Sequence, residues 1–416
     1  MAPPKKKPIL EDTGANEDID FSEELIKQIN KEAGSRIAFN LATDDAPTNV
    51  KRWISTGSKQ LDYIISNRRN GGVAEGRIVE IQGPASSGKS HIAYEIAKST
   101  QKMNGIVVYI DTENATSVEN LETIGIDIRK RFVFIQETCI EEIFKVIEST
   151  IEKARNLKSD VPVTVIWDSV AASAPKAEIE GDYDQNTIGL AARVLSKGFR
   201  KITHVIGDKN VCLVLLNQQR QKIGVMYGDP STTPGGMAIP YHASTRIKLT
   251  GGQQIKQSIN GKEAIIGINV NAKTIKNKVG RPWREVNFEI HFGKGIREDE
   301  SLFDELRDYC DKCKDPVIVN NYKVMIEGSS QWKYFQVSDV KTGELIIDKK
   351  FYKSDFRTKV LDDAECQPYI EGLMDSVFIM KNGDENHKTV ASIDLNSAVE
   401  VEAAKMERAG KSVLLG

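Results

Sequence analysis

The sequence predicts an α/β fold, a mostly parallel sheet flanked by helices. Short apolar runs alternate with amphipathic helical patterns, as in a sheet covered on both faces. A glycine-rich loop stands between one such run and the helix after it. The polar residues without a packing role cluster at strand ends, where ligands of such sheets sit.

The N-terminal 20 residues carry Pro, Lys, Asp and Glu with little to bury and predict a disordered start. Their tract Pro3-Pro4-Lys5-Lys6-Lys7-Pro8 suits a localisation signal or a solvated end. Residues 22–33 hold Leu25, Ile26 and Ile29 at helical spacing, with Ser22 as the expected N-cap. So short a stripe must pack on its own domain or on a neighbouring subunit. Residues 77–81 (RIVEI) form the first strand of the main body. The next helix sets Ile92, Ala93, Ile96 and Ala97 on one face. Strands follow at 105–111, 163–167 and 211–216, with a helix at 140–154 marked by Ile143, Ile147 and Ile151. After about residue 295 the pattern becomes mixed. A helix is expected at 302–313, and a hairpin of 322–337 with 344–351 around Lys341-Thr342-Gly343. The expected division is therefore 1–50, 51–295 and 296–416.

Composition narrows the function. The 416 residues carry 57 Lys+Arg and 59 Asp+Glu, a net charge of -2, with 40% hydrophobic residues. That is too apolar and too balanced for a disordered chain, and 31 Gly with 13 Pro is too few for a fibre. No apolar run approaches the roughly 20 residues of a membrane helix, so no membrane partner is expected. Five scattered Cys suit a reduced, cytoplasmic setting rather than a disulfide framework. Cys310 and Cys313 make half of a zinc spacing, without a second pair.

Residues Gly83, Pro84, Ala85, Ser86, Ser87, Gly88, Lys89 and Ser90 fit G-x-x-x-x-G-K-[ST]. The glycines let the backbone curl its N–H groups around an anion, and the helix opening there, which includes His91, adds its positive end. Lys89 suits the outer phosphates of ATP, and the Ser90 hydroxyl suits Mg²⁺. Asp168 ends an apolar strand and reads as a second Mg²⁺ residue, or as a helix cap shared with Ser169. Hydrolysis needs a carboxylate to orient and deprotonate water. Glu113 and Asp111, at another strand end, both qualify. Residues 217–248 hold one acid, Asp229, against Arg220, Lys222, Arg246 and Lys248. Residues 268–284 hold Lys273, Lys276, Lys278, Arg281 and Arg284 and no acid. Either segment reads as a phosphate-binding surface or as a solvated charged face. Between Gln219 and Pro234 no strand or helix period is visible, which suggests a functional loop.

Taken together these residues resemble the RecA/UvsX family of DNA strand-exchange ATPases. The likeness runs over about residues 50–300. It rests on ISTGS at 54–58, GRIVEI at 76–81 leading into the glycine loop, DSVAA at 168–172 and PKAEIEG at 175–181. GLAAR at 189–193, KIGVMY at 222–227, TTPGG at 232–236 and KNK at 276–278 complete it. The resemblance implies a RecA-like ATPase core with a small N-terminal oligomerisation helix and an α+β C-terminal domain. It implies ATP-dependent filament formation on single-stranded DNA, then pairing and strand exchange with duplex DNA. Single-strand-binding and loader proteins are further implied partners, and a bacterial or phage-infected cell the setting. The alternative is a DNA-binding mediator or a ring-forming relative without strand exchange.

By residue, the resemblance gives Glu113 the catalytic carboxylate and Gln218 the γ-phosphate sensor. It gives Lys276 and Lys278 a reach across a subunit interface to the neighbour's nucleotide. Ile188 and Ile223 match apolar wedges between bases. Arg193, Ser196 and Arg200, with Arg220 and Lys222, match DNA contacts, and Gly235, Gly236 and Met237 match backbone donors to phosphates. The sequence departs from the family pattern at Asn120, where an aromatic faces adenine, and at Pro234 and Pro240.

Overall fold

The computed structural model describes residues 14–380, apart from 45, 47, 158, 159, 183–186, 188, 222–230, 260, 314 and 329. The chain divides into two compact units, Met1–Lys51 and Arg52–Gly416. The first is built on α1 (Gly14–Ala33). The expected cap at Ser22 is corrected: the helix begins eight residues earlier, so the end of the expected disordered start is helical. Acidic residues at 17, 18 and 20 favour the positive end of a helix and extend it backwards. Asn30 then clasps the chain after α1, accepting from Ile37 and Ala38 N–H at 2.8 Å each. Phe21, Leu25 and Ile29 are exposed.

The second unit runs β1 (Trp53–Ile54), α2 (Lys59–Ser66), β2 (Val73–Ala74), β3 (Ile78–Gly83), α3 (Lys89–Lys102) and β4 (Ile106–Asp111). It continues with α4 (Val118–Ile124), β5 (Phe132–Gln136), α5 (Ile140–Leu157), β6 (Val163–Asp168), α6 (Lys176–Ile179), α7 (Leu190–Asp208) and β7 (Val211–Gln218). Then come β8 (Arg220–Gln221), β9 (Ser231–Thr232), α8 (Ala238–His242), β10 (Thr245–Ile259), β11 (Lys262–Asn277), β12 (Glu285–His291) and β13 (Gly295–Arg297).

Nine strands share one sheet in the order β13-β12-β11-β10-β3-β7-β6-β4-β5. From β10 to β5 every neighbour is parallel, and β10 to β13 is an antiparallel extension. Alternate side chains feed opposite faces, as the pleat requires. On β7, Cys212, Val214 and Leu216 enter one core, and Val211, Leu213 and Leu215 the other. Ile143, Ile147 and Ile151 of α5 are wholly buried in the second. Each such side chain stabilises the fold by roughly 1.5–3 kcal/mol relative to exposure.

The long β10–β11 hairpin is a feature the sequence pattern hid. Its outer half is exposed and polar, so it has no apolar alternation to betray a strand. The lack of strand expected after Gln219 is corrected by the β8–β9 pair, whose two-residue strands are too short to show a period. The centre of that loop lies outside the described residues.

The C-terminal part begins with α9 (Asp299–Lys312). A four-stranded antiparallel sheet follows, with β14 (Val317–Val319), β15 (Tyr322–Glu327), β16 (Lys333–Asp339) and β17 (Leu345–Phe351) in sequence order. The segment expected as one arm, 322–337, is two strands, broken where Gly328 takes φ 119°. The Lys341-Thr342-Gly343 turn joins β16 to β17, with Asp339 accepting from Lys341 and Thr342 N–H at 2.8 Å each. The last described helix is α10 (Gln367–Phe378). One hydrophobic core runs unbroken from Ile54 to Phe378.

Candidate nucleotide and DNA site

The parallel register assembles the site. Gly83 lies opposite Gln218, and Asp111 opposite Asp168. Because β3, β7, β6 and β4 are neighbours, residues far apart in sequence end side by side at one sheet edge.

The loop from Gly83 to Ser90 has the backbone its glycines predict. Ser86 and Gly88 both take positive φ, 57° and 92°. A Cβ on Gly83 would stand 2.6 Å from Ser87 Oγ, and one on Gly88 2.4 Å from Ile290 Cδ1. Glycine is needed at both places. Lys89 is buried and folds over the loop, donating to Pro84 O at 2.7 Å and Gly83 O at 3.2 Å. Burial lowers its pKa, opposed by the charges of Asp168 and Glu113. An ammonium held by two carbonyls is ready to exchange them for phosphate oxygens.

Ser90 donates to Asp168 Oδ2 at 2.9 Å. Burial raises the Asp168 pKa, while Tyr109 and Ser90 hold it down by hydrogen bonding. This hydroxyl–carboxylate pair suits a hard cation such as Mg²⁺, which takes few protein ligands and completes its shell with water and phosphate. No cluster of three or more His, Cys, Asp or Glu able to hold a metal exists among the described residues.

Glu113 and Asp111 separate clearly. Asp111 is buried and caps its own loop, accepting from Glu113 N–H at 2.9 Å and Thr116 N–H at 3.0 Å. Glu113 stands forward. Its Oε1 accepts from Gln218 Nε2 at 2.9 Å and from the Ser169 hydroxyl. Gln218 is thus tied to the carboxylate from one side, while Gln219 N–H bonds Gly83 O at 3.0 Å.

A cavity of about 390 Å³ opens beside Ser90 and Asp168. His91, Tyr94, Asn120 and Phe292 line it, and the His91 ring stacks on Phe292 at 6.3 Å. His91 Nδ1 is buried without a hydrogen-bond partner. Burial lowers the His91 pKa, opposed by the charge of Glu95. Sequence reasoning missed Tyr94 and Phe292. Tyr94 had a signal, since it follows Ser90 by one helical turn. Phe292 had none, because only the sheet brings β12 to α3. A larger cavity of about 880 Å³ lies elsewhere, between α2, the outer face of α3 and the C-terminal part. It includes none of the strand-end residues and is not this site.

The expected DNA residues meet in part. Arg193, Ser196 and Arg200 lie along α7, with Arg193 and Arg200 exposed. Gly235 and Gly236, both at positive φ, pack on that helix beside Leu195 and Ala192. Met237 is 59% exposed. Ile188, Lys222 and Ile223 lie outside the described residues, as does the side chain of Arg220.

Neither expected reading of the basic segments, phosphate surface or solvated face, holds for all of their residues. Arg246 pairs with buried Glu80 at 2.5 Å and Lys273 with Glu285 at 3.4 Å. Arg284 is buried and donates to Phe378 O at 2.6 Å, tying β12 to α10. Among the described residues neither Lys276 nor Lys278 contacts the glycine loop of its own chain. Lys276 donates to Pro240 O at 2.6 Å and Tyr241 O at 3.2 Å, and Lys278 is exposed. Burial, then the charge of Lys278, lowers the Lys276 pKa.

Fold and site define a P-loop ATPase core with its phosphate loop at the edge of a parallel sheet. The RecA N-terminal domain family matches residues 21–297. Protein RecA of Geobacter sulfurreducens is 38% identical over 279 residues, 67% of this chain and 78% of that one. Protein RecA of Ruminococcus albus is 39% identical over 292 residues, 70% of this chain and 69% of its own. Protein RecA of Thermus thermophilus is 34% identical over 350 residues, 82% and 94% of the two chains. The chain belongs to the RecA family.

Proposed function

We infer that this chain is a DNA-dependent ATPase and homologous recombinase. It binds ATP with Mg²⁺, assembles as a helical filament on single-stranded DNA and exchanges strands with a homologous duplex. The observation that carries this reading is the meeting of the glycine loop, Asp168, Glu113 and Gln218 at adjacent ends of one parallel sheet.

In the mechanism we propose, the loop N–H groups and the start of α3 hold the phosphates. Lys89 leaves its two carbonyls for the outer phosphates. Ser90 and Asp168 would hold Mg²⁺, which supplies charge neutralisation on the phosphate oxygens when bound. Glu113 takes a proton from the attacking water. Gln218 senses the γ-phosphate and passes its state to the loop that it begins. Lys276 and Lys278 complete a neighbour's site in the manner of an arginine finger. Their lack of contact with their own loop supports that role. Arg193, Ser196, Arg200 and the Gly235–Met237 turn hold the DNA backbone together with Arg220 and Lys222, while Ile188 and Ile223 wedge between bases. We also propose the 1–50, 51–295 and 296–416 division, and a bacterial or phage-infected cell as the setting.

The test is ATP hydrolysis with and without single-stranded DNA, then strand exchange and electron microscopy with an ATP analogue. DNA-stimulated turnover, strand exchange and open helical filaments are expected. Closed rings, or filaments without exchange, overturn the recombinase reading. Lys276→Ala/Lys278→Ala mixed with Lys89→Ala tests completion between subunits. Each variant alone should be inactive, and the mixture should regain activity at shared sites. A mixture that stays inactive counts against it.

A further inference from the structure

Asp168 takes hydrogen bonds from two hydroxyls on the same oxygen. Ser90 comes from the phosphate loop at 2.9 Å, and Tyr109, from the middle of β4, donates to Oδ2 at 2.5 Å. Tyr109 has no exposed surface. Its ring is fixed by Tyr94 at 5.7 Å, Phe132 at 6.2 Å and Phe134 at 6.3 Å. A phenol so held has little freedom to point elsewhere.

We propose that Tyr109 is a positioning residue for the cation side of the site. It holds Oδ2 of Asp168 from the layer between the sheet and α3 and so decides which oxygen the carboxylate turns forward. Oδ1 is then left for a water of the metal's shell. The Ser90 hydroxyl spends its proton on Asp168 and keeps its lone pairs for the cation. With Tyr109 absent, Asp168 retains a single side-chain donor, from a loop that must also follow the nucleotide. Partners that orient a metal-binding carboxylate typically change metal affinity by about 10–100-fold when removed. The inference rests on Asp168 serving the cation, as proposed above.

The experiment follows Mn²⁺ binding to the full chain loaded with a fluorescent ATP analogue, by electron paramagnetic resonance and analogue fluorescence. Tyr109→Phe should weaken Mn²⁺ binding by about 10-fold or more. Analogue binding in EDTA should change little, since the loop and Lys89 are untouched. Replacing Tyr109 by 4-aminophenylalanine, which restores a donor at the same point, should recover the affinity. 4-Methylphenylalanine, of similar bulk but without a donor, should not, and this pair gives the same readout if the Phe variant folds poorly. Unchanged Mn²⁺ affinity in the donor-less variants overturns the proposal. So does an equal loss of analogue binding in EDTA. Asp168→Asn separates the two layers. If it leaves Mn²⁺ affinity intact, the assignment of Asp168 itself fails. If it abolishes binding while Tyr109→Phe does not, the positioning role alone fails.

Discussion

Replacing Glu113 by Gln removes a proton acceptor and almost nothing else. Both donors to Oε1, the Ser169 hydroxyl and Gln218 Nε2, can be met by the amide oxygen of the new side chain. Loop geometry is held separately by Asp111, which caps the Glu113 and Thr116 N–H groups. The fold and the phosphate loop therefore stay as they are. What goes is the proposed general base, a kind of group that contributes about 10²–10⁴-fold to such reactions. The expected loss in kcat is of that size, equivalent to roughly 3–5 kcal/mol of barrier. Phosphate release with saturating single-stranded DNA measures it, and a fluorescent ATP analogue checks that nucleotide affinity persists. Asp111→Asn is the contrast. It weakens one cap of the loop, should cost about 1–2 kcal/mol in stability, and should leave turnover on the folded protein within about tenfold. Turnover retained in Glu113→Gln and lost in Asp111→Asn would refute the assignment and exchange the two roles.

Glu80→Gln leaves the Arg246 guanidinium without its counter-charge in a buried setting, and its single amide oxygen cannot accept from both Arg246 and Asn217, which the two carboxylate oxygens do at 2.5 and 3.0 Å. A loss of about 3–5 kcal/mol is expected, read as a Tm fall of roughly 5 °C by calorimetry; an unchanged Tm would contradict the buried pair. Gly88→Ala drives a Cβ to within 2.4 Å of Ile290 Cδ1 at a φ of 92°. Loss of ATP-analogue binding with a native far-ultraviolet spectrum is expected, and normal binding would count against the loop geometry. Burial raises the Asp62 pKa from 3.8 to about 7, against donors from Ser55 and Thr56. A folded pKa above the unfolded one gives stability present in full below about pH 4 and lost as pH rises through about 7. Denaturant unfolding of wild type and Asp62→Asn should show that slope flattened in the variant; identical slopes would refute it.

Much of this protein is written locally. Helix and strand periods set Ile143, Ile147 and Ile151 on one face, and the run 83–90 announces its phosphate chemistry by backbone requirements that span a few residues. Motif and flanking pattern lie on one stretch of chain, so the sequence by itself determined the fold class, the phosphate loop and the family resemblance. The tertiary structure decided what depends on register across the sheet. Asp111 and Glu113 are indistinguishable as letters, and only the loop conformation turns one inward as a cap and the other forward to Gln218. Arg246 counts as free positive charge in a tally, yet the β10–β3 register sets it directly opposite Glu80. Phe292, in the turn after β12, and Tyr109, on β4, stand beside the site although their neighbours along the chain say nothing about it. Local patterns record what a segment needs for its own conformation. Pairing of charges and the second layer behind a carboxylate arise from contacts between segments that only the closed sheet brings within hydrogen-bonding distance.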